Sequence, residues 1–352
     1  MKQIESAAAV TRSGRKAVVI WLFTVAALIF LMVVIGGITR LTESGLSMVE
    51  WHPVTGWLPP LSEEAWQAEF AKYRNFPEYQ KVNRGMSLED FQAIYAWEYG
   101  HRLLGRIIGI VFFVPFVLFA LSGRIRRDEI PWFAFLFVAG GAQGALGWFM
   151  VQSGLVDRPD VSQYRLCAHL LLAFIIYALI VWTAWRIREE GTGRIAVPEM
   201  NGFAVGLTAL VLLQIALGAF VAGTNAGMVY TTWPLMDGKL VPDGLFAFDP
   251  AWLAPFEDHL TIQFLHRVNG YLLLAVGIWA WMAARKGNDD RARRTAGGIA
   301  HGILFQVAVG IVTLVLVVPV WLGAVHQATA LLIWTAVLRL LFIARTDARG
   351  IR

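Results

Sequence analysis

The sequence predicts an all-α integral membrane protein whose eight transmembrane helices form two tandem, pseudo-symmetric four-helix bundles. Three observations predict it: a shortage of charge, the one-sided placement of the charge that remains, and an internal repeat. Of 352 residues, 57% are hydrophobic and 16% are charged, against roughly 25% charged in a soluble domain. Mean hydropathy is +0.57. The shortage is concentrated in apolar runs of about 18 residues or more, long enough for a hydrocarbon core of roughly 30 Å. Without water to satisfy the backbone there, each run has to be helical.

The runs place spans at about 17–38, 103–122, 131–152, 166–185, 202–222, 266–284, 296–318 and 323–343. The polar stretch before the first run leads straight into a full-length span, which reads as a signal anchor rather than a cleaved signal peptide. Basic residues then fall in alternate connections. Lys2, Arg12, Arg15 and Lys16 precede the first span, Arg124, Arg126 and Arg127 follow the second, and Arg186, Arg188 and Arg194 follow the fourth. Arg285, Lys286, Arg291, Arg293 and Arg294 follow the sixth, and Arg345, Arg349 and Arg352 lie after the eighth. With eight spans all of these share one side, and the positive-inside rule makes that side, with both termini, cytoplasmic. Topology thus accounts for the net charge of +5, and no nucleic-acid partner is implied.

Two long connections, 39–100 and 223–262, lie on the other side. They hold Trp51, Trp57, Trp66, Trp97, Trp233 and Trp252, aromatics suited to a membrane–water boundary, so both are expected to cap the bundle. Segments 60–72 and 87–98 are weakly amphipathic and are expected as short surface helices.

The repeat divides the chain into 1–195 and 196–352. Residues 36–60 align without gaps on 218–242, with Gly36/Gly218, Thr42/Thr224, Gly45/Gly227, Trp51/Trp233, Gly56/Gly238 and Pro60/Pro242 identical. His101, Arg102 and Gly105 match His266, Arg267 and Gly270. Gln143, Ala145 and Gly147 match Gln306, Ala308 and Gly310, and His169 matches His326. Both halves therefore run in the same membrane orientation, related by an axis along the membrane normal.

Four of seven histidines thus occupy repeat-matched positions near the outer ends of the even-numbered spans. A lone intramembrane histidine is well explained as a hydrogen bond to a neighbouring helix; four matched ones call for a function. Two facing imidazoles in an apolar bundle suit haem iron, which takes axial nitrogen ligands in a dry slot between helices. Zinc or copper takes three or four ligands, and the single cysteine, Cys167, adds little and forms no internal disulfide. A proton relay is the other reading. His52, His259 and His301 have no counterparts across the repeat. One asymmetry stands out: Glu98, one turn before His101, matches Gln263 before His266. Glu98 is either a carboxylate that manages protons beside the slot or a surface partner of Arg102. Arg102 and Arg267 either pair with haem propionates or snorkel to the interface.

Glu98-Tyr99-Gly100-His101-Arg102 resembles the E-x-x-H-R motif of the haem A synthase family, in its cysteine-free proteobacterial and mitochondrial branch. His169, His266, His326 and the segment from Gly36 to Ser47 resemble that family too, and the likeness covers essentially the whole chain. The resemblance implies an oxidoreductase that converts haem O to haem A, turning the C8 methyl group into a formyl group by successive hydroxylations for terminal oxidase biogenesis. It implies a resident haem b on His266 and His326. It places substrate haem O at His101 and His169, with Glu98 at the chemistry. Haem O would come from a protohaem farnesyltransferase, and the site would face the periplasm across a bacterial inner membrane. Membrane lipid and an unidentified electron donor or acceptor are the other implied partners, and homo-oligomerisation is left open. Two readings compete: a di-haem, b-type electron-transfer cytochrome, which gives no reason for Glu98 against Gln263, and a transporter, which would be colourless.

Overall fold

The computed structural model describes residues 2–52, 55–156 and 159–347, with the side chains of 2–13 outside that description. The basic side chains of Lys2, Arg12, Arg349 and Arg352 therefore lie outside the described residues. Among the described residues the chain is all-helical. The helices are α1 (Lys2–Leu41), α2 (Glu63–Tyr73), α3 (Pro77–Lys81), α4 (Leu88–Leu121), α5 (Ile130–Gln152) and α6 (Gln163–Glu189) in the first part. The second part holds α7 (Asn201–Gly223), α8 (Ala254–Glu257), α9 (His259–Lys286), α10 (Asp290–Val315) and α11 (Val320–Arg345).

Seven helices are long and apolar enough to cross a membrane: α1 from Gly14, α4, α5, α6, α7 with its preceding turn, α10 and α11. The expected eighth span lies in α9. This helix is 28 residues long, but His266, Arg267 and Asn269 interrupt its apolar stretch, and it falls outside those seven. The outward faces of α4 and α5 carry Ile110, Phe113, Leu118, Phe135, Val138 and Phe149, all exposed, a surface that lipid rather than water covers.

The sequence boundaries shift in two places. Residues 87–98 are not a separate surface helix but the first turns of α4. Ser87 caps this helix by accepting from the Asp90 amide, and Phe91 and Tyr95 are buried against α2, so the helix stays intact from the outer cap into the bundle. The other expected surface helix is α2, capped by Ser62 accepting from the Ala65 amide.

Helix α1 packs on α4 and α6, and α5 joins α4 to α6. Helix α7 packs on α9 and α11, and α10 joins α9 to α11. In each set the histidine-bearing helices, α4 and α6 or α9 and α11, thus stand across a ring of four. The two rings meet where α11 packs on α1 and α6 on α7. Gly37 marks the tightest point of that seam: a Cβ there would lie 1.7 Å from the Gln327 Oε1 atom. The repeat extends to backbone conformation. Glu43 and Asn225 are left-handed at φ 52° and 57°, as are Gly56 and Gly238 at 77° and 75°.

Charged networks gather at one end. Arg15 forms a fork with Glu129, at 2.6 and 3.0 Å, and also reaches Glu190. Arg126 binds both acids, and Arg194 and Arg339 bind Glu189. These contacts bring the start of α1, the α4–α5 and α6–α7 connections and the end of α11 to one face.

At the opposite end Phe70, Tyr73, Phe91 and Tyr95 form a separate small core. Within it Glu78, 4% exposed, accepts from the Tyr73 hydroxyl at 2.9 Å, which in turn accepts from Asn83. Burial pushes the Glu78 carboxyl up to about 8, opposed by the Tyr73 hydrogen bond and reinforced by the Glu98, Glu43 and Asp160 carboxylates. Between its ordinary 4.5 and about 8, the unfolded chain has released a proton that the folded chain keeps. Stability therefore falls as pH rises through that window and levels off above it. The Tm of the outer cap should be lower at pH 9 than at pH 5, and Glu78→Gln should remove most of that difference. An equal Tm at both pH values in the wild type would contradict the buried neutral acid.

Candidate haem-binding site

Each of the four matched histidines projects from its helix against a glycine on a neighbour. A Cβ on Gly36 would lie 3.0 Å from His101 Nε2, and one on Gly147 would lie 2.8 Å from His169 Cε1. The corresponding distances are 3.2 Å from Gly218 to His266 Cε1 and 2.9 Å from Gly310 to His326 Cε1. Any larger residue at these four points would push the imidazoles aside, so the glycines make room for rings. All four histidines keep partial exposure.

Glutamine amides bond the carbonyl oxygens of three of the histidines and lie beside the rings of two, His169 and His266. Gln143 on α5 donates to the His169 carbonyl oxygen at 3.0 Å and lies 3.1 and 3.3 Å from its ring nitrogens. Gln214 on α7 donates to the His266 carbonyl oxygen at 3.1 Å and lies 3.2 Å from both ring nitrogens. Gln306 on α10 donates to the His326 carbonyl oxygen at 2.8 Å.

Glu98 is neither exposed nor mobile. It is 2% exposed. Its Oε2 accepts from Ser47 Oγ and the Met48 amide, both at 2.7 Å, and its Oε1 accepts from Arg102 at 2.5 Å. Gln263 sits equally deep, but its Nε2 donates to the Ala226 and Tyr230 carbonyl oxygens while its Oε1 accepts from Arg267. Met48 and Tyr230 are repeat-matched, so the same backbone position offers N–H in one half and C=O in the other. Each loop is shaped for its own residue, carboxylate or amide.

The two arginines part company. Arg102 is committed to Glu98 and to the Met48 and Glu50 carbonyl oxygens. Arg267 binds Gln263 and the Tyr230 carbonyl oxygen through Nη2 alone, leaving Nε and Nη1 buried without a partner. Its free edge fits an anion such as a propionate. His326 Nδ1 is likewise buried and unpartnered, which fits an imidazole waiting on a ligand. Among the described residues no three of His, Cys, Asp and Glu converge, whereas paired histidines over glycine cradles fit a planar macrocycle.

Sequence reading missed Gln214, Asn269 and Met32. The alignment keyed on identities, and Gln214 matches Met32 while Asn269 matches Leu104, so neither pair registered.

Comparison with known proteins agrees with this geometry. Residues 19–338 match the COX15-CtaA family model, described as cytochrome oxidase assembly protein. The chain is 53% identical over 324 residues to a haem A synthase of Parvibaculum lavamentivorans, covering 92% of this chain and 93% of that one. It is 48% identical over 330 residues to a haem A synthase of Rhodospirillum centenum, covering 91% and 87% of the two chains. A third haem A synthase, from Nitrosospira multiformis, is 47% identical over 328 residues, 92% of each chain. Matches of this extent, over a fold whose glycine-cradled histidines repeat in both halves, place the chain in the COX15-CtaA family of cytochrome oxidase assembly proteins.

Proposed function

We propose that this protein is a haem A synthase that oxidises the C8 methyl group of haem O to a formyl group, yielding haem A for terminal oxidases. The observation that carries the division of labour is the Glu98/Gln263 difference: two repeat-matched histidine pairs, only one with a fixed carboxylate beside it.

In this reading eight helices, α9 included, span a bacterial inner membrane as two four-helix units. The shared face of the Arg15, Arg126, Arg194 and Arg339 networks supports cytoplasmic termini, with the histidines toward the periplasm. His266 and His326 hold haem b, with the free edge of Arg267 toward a propionate. When bound, haem b supplies one-electron redox chemistry.

His101 and His169 receive the substrate haem, which arrives from a farnesyltransferase step or from the lipid. Glu98 serves as an anchored negative charge rather than a travelling proton carrier. Three donors occupy three of its roughly four lone-pair sites, leaving one on Oε1. Such a charge stabilises positive character developing at the reacting methyl carbon. Arg102 keeps the carboxylate aimed and ties the segment 48–50 over the site, excluding water. An electron partner is required.

The decisive experiment is to purify the protein and identify its haems by mass. Haem b together with haem O or A is expected. Haem b alone in both halves, even when haem O is supplied, would instead make the protein an electron-transfer cytochrome.

A further inference from the structure

Three of the four imidazoles share one arrangement, and His101 departs from it. His169, His266 and His326 turn the Cε1 edge of the ring toward the facing glycine, whereas His101 turns Nε2 toward Gly36. The same three have a glutamine amide donating to their own carbonyl oxygen. His101 has no such amide.

The contrast is sharpest between His266 and its counterpart. Gln214 does not act alone. Its Oε1 accepts from Asn269 Nδ2 at 2.7 Å, and Asn269 also donates to the Leu210 carbonyl oxygen at 3.1 Å. Since Oε1 is taken by Asn269, the amide NH2 faces the His266 turn, where it donates to the His266 carbonyl oxygen. The result is a clasp between α7 and α9 with its polar groups paired. Beside His101 the matched positions are Met32 and Leu104. Met32 Cε lies 3.3 Å from the Cβ position of Gly105, where Gln214 stands 3.6 Å from that of Gly270. A thioether chain is unbranched and makes no directional bond, so it adapts rather than fixes.

Resting on the reading that the C-terminal half keeps its haem while the N-terminal half turns substrate over, we propose that Gln214 and Asn269 are positioning residues. They lock His266 for a permanently held haem, and Met32 and Leu104 leave His101 as the ligand that yields when haem O enters and haem A leaves. His169 stays clamped by Gln143 and acts as the fixed side of the substrate site. A ligand whose outer contacts hold it in one orientation binds its metal more tightly; a site that must release product cannot fix both of its ligands.

The test uses the holoprotein in detergent and follows haem transfer to excess apomyoglobin. In Gln214→Met/Asn269→Leu, haem b should leave about 10- to 100-fold faster, with a changed low-spin EPR signal and an unaltered N-terminal exchange rate. Met32→Gln/Leu104→Asn, which grafts the clasp onto the other half, should slow exchange there by a similar factor. Gln214→Glu keeps the acceptor for Asn269 but loses the donor to His266, and should fall between wild type and the double variant. Unchanged exchange in the folded variants overturns the proposal, as does equal loss from both halves, which would mark a merely structural role. If the first double variant does not fold, the graft decides. A wild type that retains no haem b on His266 and His326 defeats the underlying reading before any variant is compared.

Discussion

His266→Ala and His326→Ala each yield a protein that folds in the membrane but no longer retains b-type haem in its C-terminal half. The two histidines stand on α9 and α11, each over its own glycine, and among the described residues no group of three His, Cys, Asp or Glu offers another metal site. Removing either would leave a bound haem with only one of the two histidines proposed to hold it, and should reduce resident haem to a small fraction of the wild-type content. The pyridine haemochrome assay and the reduced α band read this directly. His101→Ala is the matched control and should leave the resident haem in place. A normal b-type spectrum in both C-terminal variants would remove the assignment of His266 and His326.

Glu98→Gln should leave haem content close to wild type and lower haem A formation by about 100-fold or more, the scale of losing one aimed electrostatic group. The imidazoles are untouched, so binding persists. What changes is the group at the end of the Ser47, Met48 and Arg102 donors. An amide there must point its NH2 at one of those donors, because this loop offers N–H where the loop around Gln263 offers C=O. The charge is lost and the aim of Arg102 is loosened together. Glu98→Asp restores the charge at a shorter reach and should recover part of the rate. Haem O accumulating beside unchanged haem b is the expected extract; undiminished haem A in Glu98→Gln would end the proposed role.

Much of this was legible in the sequence, because membrane solvation and duplication both leave plain marks. Apolar runs gave the helices, the His-Arg-x-x-Gly pair gave His101 and His266, and the match of His169 to His326 gave the other two. What stayed hidden depends on three-dimensional partners. The register of α4 was obscured because its first turns are stabilised by Phe70 and Tyr73 of the outer cap rather than by their own periodicity. Helix α9 reads as a shorter span because its polar residues have partners on α7 and in the outer loop. Glu98 was ambiguous between surface pair and buried group: its i,i+4 spacing to Arg102 fits both, and only the burial and the Met48 amide decide. The Gln214 clasp was invisible because it exists in one half alone.

Gly36 and Gly37 are consecutive on α1, yet one faces His101 and the other faces Gln327, the neighbour of His326. At this point of the α1–α11 seam one turn of backbone touches both ligand sets: a side chain added at Gly36 meets the His101 ring, and one added at Gly37 runs into Gln327 beside His326.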